Sequence, residues 1–405
     1  MKIWVKLLIG SILGIFLGFL IPEHQRLVEG LAWLEQLALR IGRYAVIPML
    51  VFSLTIGIYE LRQDKQFWPL VLKNGLMIVG ISILMIFIGV LATLVFPPSR
   101  IPILTEEQLE VIKLDIPGNI MEVFPYNMLS VLTGDGVYLF PVCVFAFFFG
   151  MGLSHDRSYS KPVITLVDSL SHVFYHVASF FIEILGFIMI MLSCYWAIRF
   201  REILRADIFL DIILLLGFLG IVLSFGVLPL LLYFLKPRIN PWKVLYGSLG
   251  SAIAAFFSGD INFSLPVLLN QTKENFGIQR RSNTVTLTLF STFCRAGSAM
   301  VAIVAFIVIF KSYSSLGITA AELLFFSFHA LIISFLLARH PGNGAYTALT
   351  VLCLGYGRGF EAGYLILKPL AFYLIAIGAF LDVMIASFAT YATAHLSGFI
   401  PKRKN

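Results

Sequence analysis

Long apolar runs recur along this chain at intervals that leave few alternatives to a bundle of membrane-crossing helices. They fall near Ile3–Ile21, Leu37–Tyr59, Trp68–Phe96, Val137–Leu153, Val163–Ile198, Ile208–Leu235, Thr284–Phe310 and Tyr364–His395. A hydrocarbon layer about 30 Å thick is crossed by about 20 helical residues. Inside that layer only helices and closed barrels satisfy their own backbone. Of the 405 residues, 59% are hydrophobic and 13% charged, against about 45–50% and about 25% in soluble domains. The chain therefore reads as an all-α polytopic membrane protein. That composition excludes an ordinary nucleic-acid binder, and the net charge of +7 comes from loop Lys and Arg that read as topology determinants and not as a phosphate-binding patch. The run after Met1-Lys2 is long for a signal-peptide core and has no small-x-small cleavage site before Pro22, so it reads as the first span.

Two further apolar segments are interrupted. Trp242–Leu269 breaks at Ser258-Gly259-Asp260-Ile261-Asn262, and Ala320–Gly355 breaks at Arg339-His340-Pro341-Gly342-Asn343-Gly344. Each half is expected to hold about a dozen residues, too few to span. Hairpins that enter and leave on one side tolerate such tips only when these are buried in protein or line a cavity. Paired interruptions of this kind point to a transporter site near the bilayer midplane. Eight spans plus two re-entrant hairpins place Arg62, Lys65, Lys73, Arg157, Lys161, Lys236, Arg238, Lys243, Lys273, Arg280, Arg281 and Lys402–Lys404 on one side. The positive-inside rule makes that side cytoplasmic, with both termini there. The loop Pro97–Gly118, with Glu106, Glu107, Glu110 and Asp115, then lies outside, as do Arg199, Arg201 and Arg205, which oppose the assignment. The stretch Pro97–Asn127 is too short to form a soluble domain.

Much of the remaining chemistry has a plain explanation. Cys143, Cys194, Cys294 and Cys353 are widely spread in apolar context, as packing cysteines are. His172 and His176 have a metal-compatible spacing without a third ligand nearby. Gly355, Gly357 and Gly359 follow no strand, so a dinucleotide loop fails. His395 suits a snorkelling position more than a proton shuttle. The five Trp fall near span ends, as interface anchors do. An intramembrane enzyme would need a nucleophile with a base, yet neither HExxH nor GxSxG nor paired intramembrane acids occur. No catalytic residue, resident metal or organic cofactor is expected.

Several motifs appear in a specific order. Ile47-Pro48-Met49-Leu50-Val51-Phe52-Ser53-Leu54 is followed by Phe124-Pro125-Tyr126-Asn127, Phe140-Pro141 and Phe149-Gly150. Ala255-Phe256 through Leu265-Pro266-Val267 and His340-Pro341-Gly342-Asn343-Gly344 come next. In this order the chain resembles, over nearly its whole length, the dicarboxylate/amino acid:cation symporters, or glutamate transporter homologues. The resemblance implies an elevator fold, a homotrimer in the inner membrane of a bacterium, and a small carboxylate or amino acid as substrate. It implies scaffold helices one and two in 1–67, transport-domain helix three in 68–96, and an outer loop with scaffold helices four and five in 97–207. The rest of the transport domain is then 208–405: helix six, a hairpin at 242–269, helix seven at 284–310, a hairpin at 320–355 and helix eight at 364–395. Substrate would lie between the two tips, the unwound middle of helix seven and helix eight.

The departures carry as much information as the matches. Where the family reads Asn-Met-Asp-Gly-Thr to hold sodium, this chain reads Cys294-Arg295-Ala296-Gly297-Ser298. Asp382 keeps the family's first eighth-helix Asp, whereas the Arg, Asn and second Asp positions are Ile385, Ala389 and Thr393. Losing acids and amides removes the groups that offset the desolvation of a cation, and a guanidinium puts a fixed charge in its place. Arg295 is thus expected to stand in for a bound cation, with sodium coupling weak or absent and proton coupling or exchange open. It is also expected to reach a substrate carboxylate, while Asp382 holds a substrate amine or pairs with Arg295. Asp260 is expected to pair with Arg295, carry a proton or face the cavity. Ser258, Ile261, Asn262, His340, Gly342, Asn343, Gly344 and Ser298 complete the candidate substrate set. Ser82, Thr292 and Thr393 join Asp260 and Asp382 as candidates for H+ or Na+. Lipid is the other partner expected. A relative that binds ligand without coupled transport, as a sensor or leak, is the alternative.

Overall fold

The computed structural model describes residues 3–21, 25–102, 116–204, 207–235, 240–314 and 317–400. Its helices are α1 (Ile3–Leu20), α2 (Gln25–Arg43), α3 (Val46–Gln63), α4 (Phe67–Val95), α5 (Ile116–Val123), α6 (Phe140–Leu153), α7 (Arg157–Leu204) and α8 (Leu210–Ile221). They continue as α9 (Leu228–Leu235), α10 (Pro241–Ser258), α11 (Ile261–Phe276), α12 (Arg280–Phe293), α13 (Ala296–Tyr313), α14 (Ala320–Leu336), α15 (Gly344–Tyr356) and α16 (Ala371–Leu396). No strand occurs among the described residues. The most buried helix is α13, with every residue from Ala296 to Phe310 buried, and it packs against α4, α15 and α16.

Eight helical stretches are long and apolar enough to cross a membrane. Their number equals the expectation but their membership differs. Ala320–Arg339 qualifies, whereas Phe140–Leu153 has 14 residues and falls short. The hairpin arms also exceed the dozen residues expected of them, at 18 and 16 residues for α10 and α11 and 17 and 13 for α14 and α15. Polar residues that end an apolar run in the sequence do not end the helix. Ser248 and Thr272 return their hydroxyls to backbone carbonyls four residues back, and Gln271 Oε1 accepts from the Ser251 amide at 3.1 Å. Two other boundaries move: the Leu37–Tyr59 run is divided at Tyr44-Ala45 between α2 and α3, and the last span starts at Ala371, after a 3-10 turn over Gly363–Leu367.

Local chemistry sets the turns. Asn240 accepts from the Trp242 amide and Pro241 opens α10, both standard helix starts. Gly259, at φ +65°, ends α10 in the left-handed region, and Asp260 then caps α11 by accepting from the Asn262 amide at 2.8 Å. The first tip is therefore only Gly259-Asp260. Thr319 and Glu322 form a reciprocal capping box at the start of α14.

Three of the loop cations, Arg280, Arg281 and Lys73, tie helix ends together. Arg280 bonds Asp168 and Arg281 bonds Asp64, joining the ends of α12, α7 and α3. Lys73 donates to the Leu396 carbonyl and the Ser397 hydroxyl, adding α4 and α16 to the same end. Arg201 binds the Phe19 and Ile21 carbonyls, linking the last turn of α7 to the end of α1. Lys236, Arg238, Arg205, the acids of 106–115 and Lys402–Lys404 lie outside the described residues.

Helix α1 lies along α7 through Gly10, Gly14 and Gly18. A methyl group on these would overlap the Gly186 carbonyl oxygen, the Ser193 hydroxyl and the Cys194 carbonyl respectively. The spacing is the small-xxx-small pattern that lets helix backbones approach in lipid. Gly14→Val is expected to lower stability by about 1–3 kcal/mol through overpacking. Gly75→Ala, with nothing within 4 Å of the added carbon, is expected to leave the melting temperature unchanged. Thermal unfolding of the two purified variants compares them directly, and equal effects would refute the close-packing account.

Candidate functional site

The centre of the site is the two-residue break between α12 and α13. Helix α12 stops at Phe293, Cys294 and Arg295 leave helical geometry, and α13 begins at Ala296. This break exposes the first amides of α13, and Asp382 of α16 covers them. Its Oδ1 accepts from the Gly297 and Ser298 amides at 2.8 and 3.1 Å, and its Oδ2 from the Ser298 hydroxyl at 2.6 Å. A carboxylate at a helix N-terminus gains from both the free N–H groups and the helix dipole. Only glycine fits at 297, because an added carbon would lie 2.5 Å from Leu381 Cβ and 2.8 Å from the Asp382 amide.

Arg295 turns its guanidinium from the break toward Asp382 and the second tip. Nε lies 3.2 Å from Asp382 Oδ2, an electrostatic contact off the line of a hydrogen bond. Nη2 donates to the Pro341 carbonyl at 2.9 Å and to the His340 carbonyl at 3.4 Å. The side chains of Arg295 and Asp382 are 1% and 0% exposed. Among the described residues neither Nη1 nor Nε has a hydrogen-bond partner, and Nε has only its electrostatic contact with Asp382.

Asp260 does not meet Arg295. Its partner is Arg43, the last residue of α2, which donates from Nε and Nη2 to Asp260 Oδ2. The cause is the direction of the short tip: Oδ1 is committed to the Asn262 amide, which aims Oδ2 away from the α12–α13 break and toward the α2–α3 elbow. Among the described residues Asp260 and Asp382 are the two fully buried acids. Each is matched by a guanidinium.

The remaining candidates divide. Ser258 bonds the Asp260 amide at 3.2 Å and Asn262 Nδ2 donates to the Gly136 and Val137 carbonyls, so both stabilise the first tip and its neighbour. Ile261 is a core side chain. His340 contributes its carbonyl to Arg295. Gly342 lies beside Arg43 and Asp260, Gly344 beside Arg295 and Ser298, and Asn343 is exposed. The Ser82 hydroxyl is buried beside the Cys294 thiol, the Thr393 hydroxyl is buried with no hydrogen-bond partner among the described residues, and Thr292 lies 3.9 Å from the Cys143 sulfur. No group of three His, Cys, Asp or Glu that could hold a metal occurs among the described residues. Arg43 escaped the sequence reading although it is a charge inside an apolar run. So did Glu122, which pairs with Arg339 of the second hairpin.

The comparisons with known proteins bear on this arrangement. The profile described as "Sodium:dicarboxylate symporter family" matches residues 3–396. The chain belongs to that family. Among its relatives, the proton/sodium-glutamate symport protein of Bacillus subtilis (strain 168) is 25% identical over 194 residues, 45% of this chain and 44% of that protein. The serine/threonine transporter SstT of Streptococcus agalactiae is 26% identical over 330 residues, 78% of this chain and 75% of that one. The human neutral amino acid transporter A is 22% identical over 218 residues, 54% and 41% of the two chains. The match spans less than half the length of the glutamate symport relative. The family is one of membrane transporters, not enzymes, and the eight apolar helices agree with a multi-pass membrane protein.

Proposed function

We propose that this chain is a secondary transporter of a small carboxylate, with Arg295 as its resident cation and sodium coupling weak or absent. The observation that carries this reading is the pairing of both buried acids with guanidinium groups, Asp382 with Arg295 and Asp260 with Arg43. A sodium ion entering this centre would meet a fixed positive charge and no unpaired buried carboxylate, so its desolvation would go uncompensated. The free Arg295 Nη1 instead suits an anion. The oxygens of Asp382 are occupied by two amides, a hydroxyl and the guanidinium, leaving poor provision for a substrate ammonium. The favoured ligand is therefore a carboxylate without an amine, in contrast to the amino acids named for the relatives.

In this reading the α10–α11 and α14–α15 hairpins are re-entrant, both termini are cytoplasmic, and the chain forms a homotrimer in a bacterial cytoplasmic membrane. Transport follows an elevator motion of 208–405 with α4 against a scaffold of the other helices. The contacts that tie the tips to the scaffold are both polar, Arg43 with Asp260, Asn262 with 136–137 and Arg339 with Glu122, and apolar, with Phe263 and Val267 packed among Leu7, Ala38 and Leu185 and Trp196 against Phe257. Both sets would have to part as the domain slides.

Counterflow in proteoliposomes tests this function. Vesicles loaded with succinate are expected to take up labelled succinate equally in sodium and choline media. A rise of about tenfold with sodium, equivalent to about 1.4 kcal/mol of linkage, would refute sodium independence. Ligand binding without counterflow would instead favour a sensor.

A further inference from the structure

A cavity of about 340 Å³ lies on the other side of the two tips, between them and helices α2 and α7. It is lined by Glu35 and Arg43 of α2, Trp196 and Arg199 of α7, and Ser258 and Asn343 of the tips, with Phe257 and Phe372 on its apolar wall. A volume of this order holds a small molecule. Its charges are not all committed. Arg43 is bound to Asp260, whereas Arg199 and Glu35 make no ion pair among the described residues. The Arg199 guanidinium stands 6.0 Å from the ring centres of Tyr195 and Phe372, and it acts on Glu35 only through its field.

We propose that this cavity binds a zwitterionic α-amino acid with an apolar side chain, at a site separate from the Arg295 centre. One free guanidinium and one free carboxylate across a small cavity match the carboxylate and ammonium of such a ligand. Charge-assisted hydrogen bonds of this kind are about twice as strong as neutral ones. Trp196, Phe257 and Phe372 supply the surface for the side chain, where burial contributes about 25 cal/mol per Å². Ser258 and Asn343 place the ligand against both hairpin tips at once. The complementarity is opposite to that of the centre, where the one buried acid is saturated and only a cationic donor is free.

Thermal stabilisation and calorimetric titration of the purified full chain test this with three probes: phenylalanine, 3-phenylpropanoate and phenethylamine. Phenylalanine is expected to bind, and each analogue, lacking one charge, to bind about tenfold or more weakly. Glu35→Gln and Arg199→Gln are each expected to weaken phenylalanine by a similar factor while leaving succinate counterflow unchanged. Succinate is expected not to displace phenylalanine. The proposal is overturned if phenylalanine does not bind, if either analogue or either variant matches it, or if succinate competes. Loss of succinate transport with phenylalanine binding intact would count against the Arg295 reading alone.

Discussion

Replacing Arg295 with alanine is expected to cost about 3–5 kcal/mol of stability, the penalty for leaving the other half of a buried ion pair uncompensated. Both side chains are out of contact with solvent, so neither water nor salt can substitute for the missing charge. The variant also loses the hydrogen bonds to the Pro341 and His340 carbonyls, which tie the second tip to the helix break. Thermal unfolding of the purified variant should show a fall of several degrees, and succinate should no longer stabilise it. Arg295→Lys keeps the charge but not the planar fork, so it should recover part of the stability and little of the ligand effect. Arg295→Met combined with Asp382→Asn should be less destabilised than the sum of the two single changes, a coupling expected of groups in contact. An additive double variant would mean that the pair does not interact.

Arg43 and Asp260 lead to the second large effect, and it is asymmetric. Arg43→Ala strands a carboxylate whose side chain is 0% exposed, whereas Asp260→Asn strands a guanidinium that is 18% exposed and lines a cavity. The stranded acid should cost about 3–5 kcal/mol. The stranded Arg should cost much less, because it can turn toward water and the substituted amide can still cap α11 through its side-chain oxygen. Melting temperatures of the two variants, measured under the same conditions, give the ratio. Equal losses would contradict the inside-to-outside polarity assigned to this contact.

How much of this was legible in the sequence depends on the range of the interaction. The apolar runs and the two interruptions are local patterns and were read at nearly the right residues, whereas the break at Cys294-Arg295 lies inside an apolar run and was placed only by the resemblance. Hairpin length was misjudged because hydropathy ends a helix where polarity begins. The buried polar residues of α11, Asn270, Gln271 and Thr272, find partners or backbone oxygens inside the fold, and the helix continues through them. The partner of Asp260 could not be read, because Arg43 lies 217 positions away and reaches the tip only through the α2–α3 elbow. Asp382 was found by its place in a resemblance, but its saturation by α13 amides depends on Gly297 admitting α16 at close range. Arg40 and Arg43 inside the Leu37–Tyr59 run were the local sign that a cation stood near the membrane-embedded part of the fold.

The central claim is that Arg295 replaces a bound cation, and a sodium titration of ligand stabilisation tests it most directly. Succinate should raise the melting temperature of the wild-type protein by mass action. The account predicts the same rise in sodium chloride and in choline chloride of equal ionic strength. A rise that develops only as sodium is added would contradict it, placing a sodium-binding step before the substrate despite the paired guanidinium groups.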